Sequence, residues 1–268
     1  MSAERIVTRT QIKNDLMTIG INEEMVLLLC ADIEKVGWIP GGSQSLIIEI
    51  ENILTENGTL IMPTFTEELS DPSLWKKRKI PKLWYEKIKR EIPEYDENLS
   101  PSIQSGIITE VFRKQGGVLR SKHPLYSFCA WGKKKYEITN NHSLNFGLGP
   151  ASPLGKLYLL KGCILLIGVE FYDNISLHLA EILTRNISSD KIKKQFPVKN
   201  HGERIWKQLE DIEYDNNSFD KLMREYLKDS KNNCKSGKIG DADTYLIDYK
   251  SLIDFSIKWF EKSKKFII

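Results

Sequence analysis

Residues 25–62, MVLLLCADIEKVGWIPGGSQSLIIEIENILTENGTLIM, contain the pattern that decides the fold. The apolar run at 25–31 is typical of a strand buried on both faces of a parallel sheet. Ser43 then begins an amphipathic helix that ends at Asn57-Gly58, and residues 59–62 form the next strand. This order predicts a βαβ unit, whose first loop lies at the carboxyl end of the sheet, where ligands bind in α/β proteins.

The rest of the chain predicts further strands and helices around the same sheet. Residues 65–105 lack a long periodic segment and are rich in proline, aromatic and charged residues, which predicts a long loop or helical insertion. After Asp190 the pattern becomes polar and predicts an antiparallel C-terminal part. We therefore expect an α/β fold with a mixed, largely parallel central sheet flanked by helices, and one domain over residues 1–268.

Composition excludes several classes of protein. With 41% hydrophobic residues the chain can bury a large core, yet no apolar run reaches the roughly 20 residues of a membrane-spanning helix. The first residues lack the order of a signal peptide, so we expect a cytoplasmic protein without a membrane partner. The four cysteines are scattered without a CxxC pair, which disfavours a disulfide framework or a zinc site.

A second informative stretch, residues 163–181, places a histidine near the start of a helix. His178 and Glu181 are three residues apart and share one helix face, and Asn174 or Ser176 can cap the first turn. Two interpretations fit this spacing: a base with a carboxylate beside it, or a histidine that only satisfies a neighbour. The helix N-terminus disfavours imidazolium while Glu181 stabilises it, so the spacing leaves the charge of His178 open.

Two further motifs contain candidate functional residues. Gly37-Trp-Ile-Pro-Gly-Gly42 precedes a helix but matches neither the phosphate-binding loop nor the dinucleotide fingerprint. Two interpretations fit it: either its backbone N–H groups bind an anion, or its glycines only form a turn. Arg120-Ser-Lys-His-Pro-Leu-Tyr-Ser-Phe128 contains His123, which either takes part in catalysis or braces backbone groups. Because there is no GxSxG elbow and the cysteines lie in apolar surroundings, a protein nucleophile is disfavoured.

Acidic residues occur in several clusters. The clusters at 67–71 and 94–97 are typical of solvated faces. Asp211, Glu213 and Asp215 alternate, so in an extended segment all three would point to one side of the chain. Such a surface would suit a polycation.

Taken together, these motifs resemble those of the aminoglycoside 3-N-acetyltransferases, enzymes that acetylate antibiotics. The similarity covers nearly the whole chain and depends on the order and spacing of the motifs rather than on any one of them. They are Gly37-Trp-Ile-Pro-Gly-Gly42, Met62-Pro-Thr64, Leu69-Ser-Asp-Pro72 with Trp75, Arg120-Ser-Lys-His-Pro-Leu-Tyr-Ser-Phe128, Phe146-Gly-Leu-Gly-Pro-Ala-Ser-Pro153, Asn174-Ile-Ser-Leu-His-Leu-Ala-Glu181, and Leu252-Ile-Asp-Phe255 with Trp259.

The resemblance implies acetyl transfer from acetyl-CoA to the 3-amino group of a polycationic aminoglycoside, with His178 as general base and no metal. It implies that a carboxylate orients the imidazole; we expect Glu213, which matches an acidic position of the family, with Glu181 also in the site. The implied coenzyme-binding residues are Trp38, Gly41, Gly42, Ser43, Arg120, Ser121, His123 and Ser127. The implied substrate-binding residues are Asp71, Asp96, Ser176, Asp211 and Glu213.

Two departures from the family pattern keep other functions open. Residues 217–219 read Asn-Ser-Phe where the family has paired acids, and residues 170–173 are bulkier and more acidic than the small polar residues expected there. A second hypothesis is therefore acetylation of another amine-bearing metabolite. A third, non-enzymatic binding of nucleic acid by the basic residues 75–90, is disfavoured because Pro81 interrupts them and the acidic residues 91–97 follow, so no nucleic-acid partner is expected.

Overall fold

The computed structural model describes residues 6–75, 80–102, 105–185, 187–201, 203–229 and 233–264. The strands are β1 (Val26–Ala31), β2 (Thr59–Pro63), β3 (Leu119–Arg120), β4 (Phe128–Gly132), β5 (Cys163–Ile167), β6 (Lys191–Asn200), β7 (Glu203–Ile212), β8 (Cys234–Ile239) and β9 (Ala242–Asp248). The α-helices are α1 (Arg9–Ile19), α2 (Gly42–Leu54), α3 (Tyr85–Glu91), α4 (Ile107–Arg113), α5 (Lys135–Thr139), α6 (Pro153–Leu159), α7 (His178–Thr184), α8 (Ile187–Asp190), α9 (Phe219–Lys228) and α10 (Tyr249–Lys264).

The central sheet has the strand order β3-β4-β2-β1-β5-β9-β8. Strand β1 pairs in parallel with β2 and with β5, and the strands outside these three pair antiparallel. The predicted mixed α/β sheet is confirmed, but it is not largely parallel: parallel pairing is confined to β1–β2 and β1–β5 at its centre. Strand β1, helix α2 and strand β2 form the predicted βαβ unit.

Strand β1 lies between two layers of the core. Leu28 belongs to the hydrophobic cluster that includes α7 and α10. Leu27 and Leu29 belong to the cluster on the other face, which includes α1 and α2. Because successive side chains of a strand point to opposite faces, burial on both sides requires an uninterrupted apolar run, which explains the sequence at 25–31.

The insertion between β2 and α4 consists of short 3₁₀ turns and helix α3 rather than a regular layer. Strands β6 and β7 form a separate antiparallel hairpin, and β8 and β9 are also antiparallel, which confirms the antiparallel C-terminal part. The hairpin contacts the insertion: the Asp71 N–H donates to the Gln195 carbonyl (3.0 Å), and the Arg204 guanidinium donates to the Lys89 carbonyl (2.6 Å).

Helix α10, at 16 residues, closes the C-terminal part of the described chain against the sheet. Its residues Leu252 and Ile253 are fully buried, while the charged Lys250 and Asp254 pair on its outer side. Across the described ranges, no helix combines the length and the apolar character needed to cross a bilayer.

Candidate active site

His178 is the first residue of α7, at the end of the connection that follows β5. The turn before it, Ile175–Leu177, is capped by Asn174, whose side-chain oxygen accepts from the Ser176 N–H (3.3 Å) and hydroxyl (2.6 Å). Asn174 and Ser176 are both fully buried, so this turn is fixed from inside the protein. The His178 side chain is 12% exposed and lines a cleft.

Glu181 orients the imidazole of His178. The Nδ1 of His178 lies 2.8 Å from Oε2 of Glu181, while Oε1 accepts from Arg185 Nη2 (2.9 Å) and from the Asp215 N–H (3.1 Å). The Glu181 side chain is only 4% exposed. Because a carboxylate accepts the Nδ1 proton, a neutral imidazole in this position carries its lone pair on Nε2.

Two aromatic rings pack against His178. The centroid of the Tyr214 ring lies 4.7 Å from that of the imidazole, and the centroid of the Phe219 ring lies 5.1 Å from it. Together with the bond to Glu181, these contacts restrict rotation of the imidazole.

The cleft beside His178 has a volume of about 570 Å³ and lies at the carboxyl ends of β1, β2 and β5. Its lining is acidic. The carboxylates that line it are Asp32, Glu67, Glu170 and Asp173. Lys35 also lines it, and its Nζ is paired with Oε1 of Glu170 at 2.6 Å. Acidic side chains in a cleft attract cationic ligands.

Cys30 lines the same cleft but is a poor nucleophile. Burial raises the pKa of its thiol to about 12, and only the thiolate is a strong nucleophile. Within the part of the chain that the structure describes, no group of three or more His, Cys, Asp or Glu residues is arranged to hold a metal ion.

A second cleft, of about 540 Å³, adjoins the first. Trp38, Gly41, Gly42 and Ser43, all predicted to bind coenzyme, line it together. Residues that are consecutive in the chain line the two clefts. Ala31 and Asp32 line the His178 cleft, and Ile33 lines the second cleft. In the same way, Gly106 lines the His178 cleft and Ile107 lines the second cleft. Neighbouring segments of the chain therefore line the two clefts.

The glycine turn contains the uncapped start of helix α2 and lies beside exposed apolar side chains. Gly41 has a φ of +81°, and a Cβ atom there would lie 2.6 Å from Ser45 Oγ, so the turn requires glycine. Helix α2 begins at this turn without a capping side chain, and N–H groups at such a helix start bind anions. Trp38 is 54% exposed and Ile107 61% exposed at the same cleft, which offers an apolar surface to a ligand.

Four of the residues predicted to bind coenzyme line neither cleft, and their contact with coenzyme stays a prediction: Arg120, Ser121, His123 and Ser127. The Arg120 guanidinium donates to the carbonyls of Thr64 (2.8 Å) and Ser100 (2.6 Å) and to the Ser127 hydroxyl (3.0 Å). Ser121, His123 and Ser127 are buried. These groups hold the connection between β3 and β4 to the insertion.

The hydrogen bonds of His123 agree with the interpretation that this residue braces backbone groups. Its Nδ1 accepts from the N–H groups of Leu125 (3.1 Å) and Tyr126 (3.0 Å), and its Nε2 donates to the Leu144 carbonyl (3.1 Å). Burial, with a smaller contribution from His142, holds the pKa of His123 well below its usual value. The ring is therefore neutral and fully used by the backbone.

None of the five residues predicted to bind substrate lines the His178 cleft, so their contact with substrate stays a prediction. Asp71 is paired with Lys89 (2.8 Å). Asp96 is exposed and accepts from the N–H groups of Asn98 and Leu99 in its own turn. Ser176 and Asp211 are fully buried and Glu213 is exposed.

Glu213 is not the group bonded to Nδ1 of His178, contrary to the sequence prediction; Glu181 takes that position. The predicted alternation of Asp211, Glu213 and Asp215 on one side also fails. Strand β7 ends at Ile212, so the period of two does not continue, and Asp211 is buried while Asp215 is exposed.

Sequence reasoning missed Asp32, Lys35 and Tyr214 and assigned Glu67 to a solvated face. A signal for three of them was available, because Asp32, Lys35 and Glu67 follow the ends of β1 and β2. Side chains beyond the carboxyl ends of adjacent parallel strands converge in α/β sheets. Tyr214 had no such signal, since its position depends on the separate hairpin.

Residues 28–261 match the family model described as aminoglycoside 3-N-acetyltransferase. The chain belongs to the aminoglycoside 3-N-acetyltransferase family. It is thus an acyltransferase, as the sequence motifs predict.

The similarity to individual members of this family extends over nearly the full chain. The SPbeta prophage-derived aminoglycoside N(3')-acetyltransferase-like protein YokD of Bacillus subtilis (strain 168) is 37% identical over 255 residues, covering 94% of this chain and 92% of YokD. The crystal structure of YokD superposes with a TM-score of 0.90 at 36% identity, covering 96% of this chain and 94% of that structure. Aminoglycoside N(3)-acetyltransferase IX of Micromonospora chalcea is 29% identical over 274 residues, or 97% of this chain and 95% of the relative.

The fold is also that of AAC-IIIb in a binary complex with CoASH. The TM-score is 0.84 at 24% identity, over 97% of this chain and 98% of AAC-IIIb.

Proposed function

We propose that this acyltransferase moves an acetyl group directly from acetyl-CoA to the 3-amino group of an aminoglycoside, with His178 as the general base. The observation that carries the proposal is the imidazole of His178, which Glu181 orients at 2.8 Å in an acidic cleft, with a second cleft nearby beside the glycine turn.

The transfer needs one base and no protein nucleophile. An amine attacks a carbonyl only through its free lone pair, so the proton of the attacking nitrogen must be removed during the reaction. Nε2 of His178 takes this proton as the N–C bond forms and the C–S bond of the thioester breaks. The same proton then passes to the departing sulfur, which leaves as the thiol of coenzyme A.

Glu181 orients the imidazole of His178 and stabilises the positive charge that forms on it in this step. When Nε2 is protonated the imidazole becomes a cation, and a carboxylate on Nδ1 stabilises that charge and fixes the tautomer. Arg185 and the Asp215 N–H hold Glu181 in place from its other oxygen.

The second cleft suits the coenzyme. Its glycine turn offers N–H groups at the start of α2 to a phosphate, and Trp38 and Ile107 offer apolar contact to the pantetheine chain. The fold is shared with AAC-IIIb, which is known in complex with CoASH. A coenzyme bound along this path would direct its thioester toward His178.

The first cleft suits a substrate with several ammonium groups. Asp32, Glu67 and Asp173 present carboxylates beside His178, and the only lysine among the described lining residues is already paired with Glu170. A polycationic aminoglycoside complements this lining better than a neutral or anionic amine does.

The test is release of coenzyme A thiol from acetyl-CoA across a panel of aminoglycosides and simple amines, with mass spectrometry of the product. We expect turnover with aminoglycosides that carry a free 3-amino group. As a matched control, an aminoglycoside acetylated beforehand at that amine should not react. Turnover confined to non-aminoglycoside amines would contradict the proposed substrate. It would favour acetylation of another amine-bearing metabolite, a hypothesis consistent with the acidic residues Glu170 and Asp173 at the cleft.

A further inference from the structure

Tyr214 contacts both the catalytic cleft and a buried ionic cluster. Its ring packs on the imidazole of His178 and lines the cleft. Its hydroxyl donates to Oδ1 of Asp211 (2.7 Å). Asp215, the next residue, uses its N–H to bond Glu181 (3.1 Å). The segment after β7 therefore reaches the His178–Glu181 pair at two points.

The ionic cluster that holds Tyr214 consists of buried residues of strands β6 and β7. Asp211 is fully buried, and its Oδ2 accepts from Lys194 Nζ (2.9 Å). Lys194 is 8% exposed, and its Nζ also lies 2.7 Å from the Tyr126 hydroxyl and 4.6 Å from the centroid of the Tyr214 ring. Charges buried in this way are costly to leave unpaired, so they fix the geometry of the groups they bind.

From these contacts we infer that Tyr214 is a positioning residue for the His178 imidazole, anchored by Asp211 and Lys194 on the β6–β7 hairpin. This inference rests on the general-base role proposed above. Asp211, which the sequence suggested would face the substrate, acts instead from within the protein. The hydroxyl of Tyr214 remains a donor because burial and the nearby Asp211 hold its pKa well above the usual value.

The physical reason is that Glu181 fixes only one atom of the imidazole. The covalent bond to Cβ still allows rotation about χ1 and χ2, and small changes in these angles tilt the ring and move Nε2. Tyr214 and Phe219 block this rotation, but only the Tyr214 ring is tied by a hydroxyl to a buried charge. A displacement of about 1 Å at a catalytic group can reduce turnover by about 10²-fold.

The test compares Tyr214→Phe, Tyr214→Leu and Tyr226→Phe with the wild-type enzyme. Tyr214→Phe keeps the ring and removes the bond to Asp211, whereas Tyr214→Leu removes both. Tyr226→Phe is the matched control, because Tyr226 is also a buried tyrosine, bonded to Ser251 (3.2 Å) and outside the His178 cleft. Steady-state turnover, the thermal midpoint and the NMR signal of the His178 ring are measured for each.

We expect Tyr214→Phe to lower kcat by about tenfold and Tyr214→Leu by about 10²-fold, with KM for both substrates changed less than about twofold. The His178 ring signal should shift in both variants but not in Tyr226→Phe, and Tyr214→Phe should lose no more thermal stability than that control does. Unchanged kcat in Tyr214→Phe and Tyr214→Leu, or a loss confined to KM, would overturn the inference.

His178→Ala, assayed in parallel, separates the two proposals. If His178→Ala is inactive while both Tyr214 variants turn over like the wild type, only the positioning role fails. If His178→Ala itself turns over like the wild type, the general-base role fails and the positioning role fails with it.

Discussion

At the scale of single residues, the proposed chemistry depends on a hydrogen bond between two side chains on one helical turn. His178 and Glu181 lie three residues apart, and this spacing alone brings their side chains together. The bond is sheltered, since 4% of the Glu181 side chain and 12% of the His178 side chain are exposed. A charge that develops on His178 during proton transfer therefore meets Glu181 with little screening by water.

Glu181→Gln tests this pair. The amide oxygen can still accept from Nδ1, but the negative charge that stabilises imidazolium is lost, so we expect kcat to fall by roughly 10²–10³-fold. Steady-state thiol release measures the effect. Glu213→Gln, at an exposed carboxylate, is the matched control and should change kcat less than about twofold. A larger loss in the Glu213 variant than in the Glu181 variant would restore Glu213 as the partner.

At the scale of elements, two structures position the site: the glycine turn before α2 and the β6–β7 hairpin. The turn lies at the end of the βαβ unit's first connection and lines the second cleft. The hairpin lies outside the main sheet and reaches the site through the segment that follows β7. We propose that the first element binds the coenzyme and that the second positions the His178 imidazole.

Trp38→Ala tests the binding role of the turn. Removal of an exposed aromatic surface that a ligand covers should raise KM for acetyl-CoA by about tenfold and leave kcat unchanged, because uniform binding is lost. The control is Tyr136→Ala, since Tyr136 on α5 is exposed to a similar degree (60%) but lines neither cleft. Equal KM values for the two variants would argue against coenzyme binding at this turn.

The hairpin's ionic cluster can be tested by unfolding. Lys194→Met leaves the Asp211 carboxylate buried without its cation and should reduce the free energy of unfolding by roughly 3 kcal/mol. Replacing both charges, as Lys194→Met with Asp211→Asn, should cost less than the sum of the single changes by at least about 1.5 kcal/mol. Denaturant titrations give these values. Additivity within about 0.5 kcal/mol would show that the pair is not coupled.

At the scale of the whole molecule, two neutral histidines, the buried His123 and the half-buried His142, make stability depend on pH. Burial lowers the pKa of His142 to about 4, and burial with the neighbouring His142 holds that of His123 well below 6.5. In the unfolded chain both rings take up protons near pH 6.5. Between pH 6.5 and 4 the unfolded state thus binds more protons, and the free energy of unfolding falls as the pH falls.

We expect the free energy of unfolding to fall by at most about 1.4 kcal/mol per pH unit for each histidine. The contribution of His142 should stop changing below about pH 4. Denaturant unfolding measured from pH 7 to pH 4 checks it. His142→Gln should give a shallower slope, while His201→Gln, at an exposed histidine, should keep the wild-type slope. Parallel slopes for the wild type and His142→Gln would contradict this origin.

Much of the fold and part of the site could be predicted from sequence because the signals are local. The apolar run of β1, the spacing of α2 and the i, i+3 pair of His178 and Glu181 each depend on a few neighbouring residues. The choice of Glu213 as the partner of His178 came from the family resemblance, whereas the structure has Glu181 at Nδ1. Whether Arg120 or Asp211 contacts a ligand or the protein depends on tertiary packing, which no local period encodes.

The most direct test of the general-base role is the turnover of His178→Ala, measured as coenzyme A thiol release with saturating acetyl-CoA and an aminoglycoside. Since Nε2 of His178 is the proposed proton acceptor, we expect kcat to fall by about 10²–10⁴-fold. Coenzyme affinity, measured by calorimetry, should change less than about twofold because the second cleft is intact. Turnover close to the wild-type rate would contradict the role of His178.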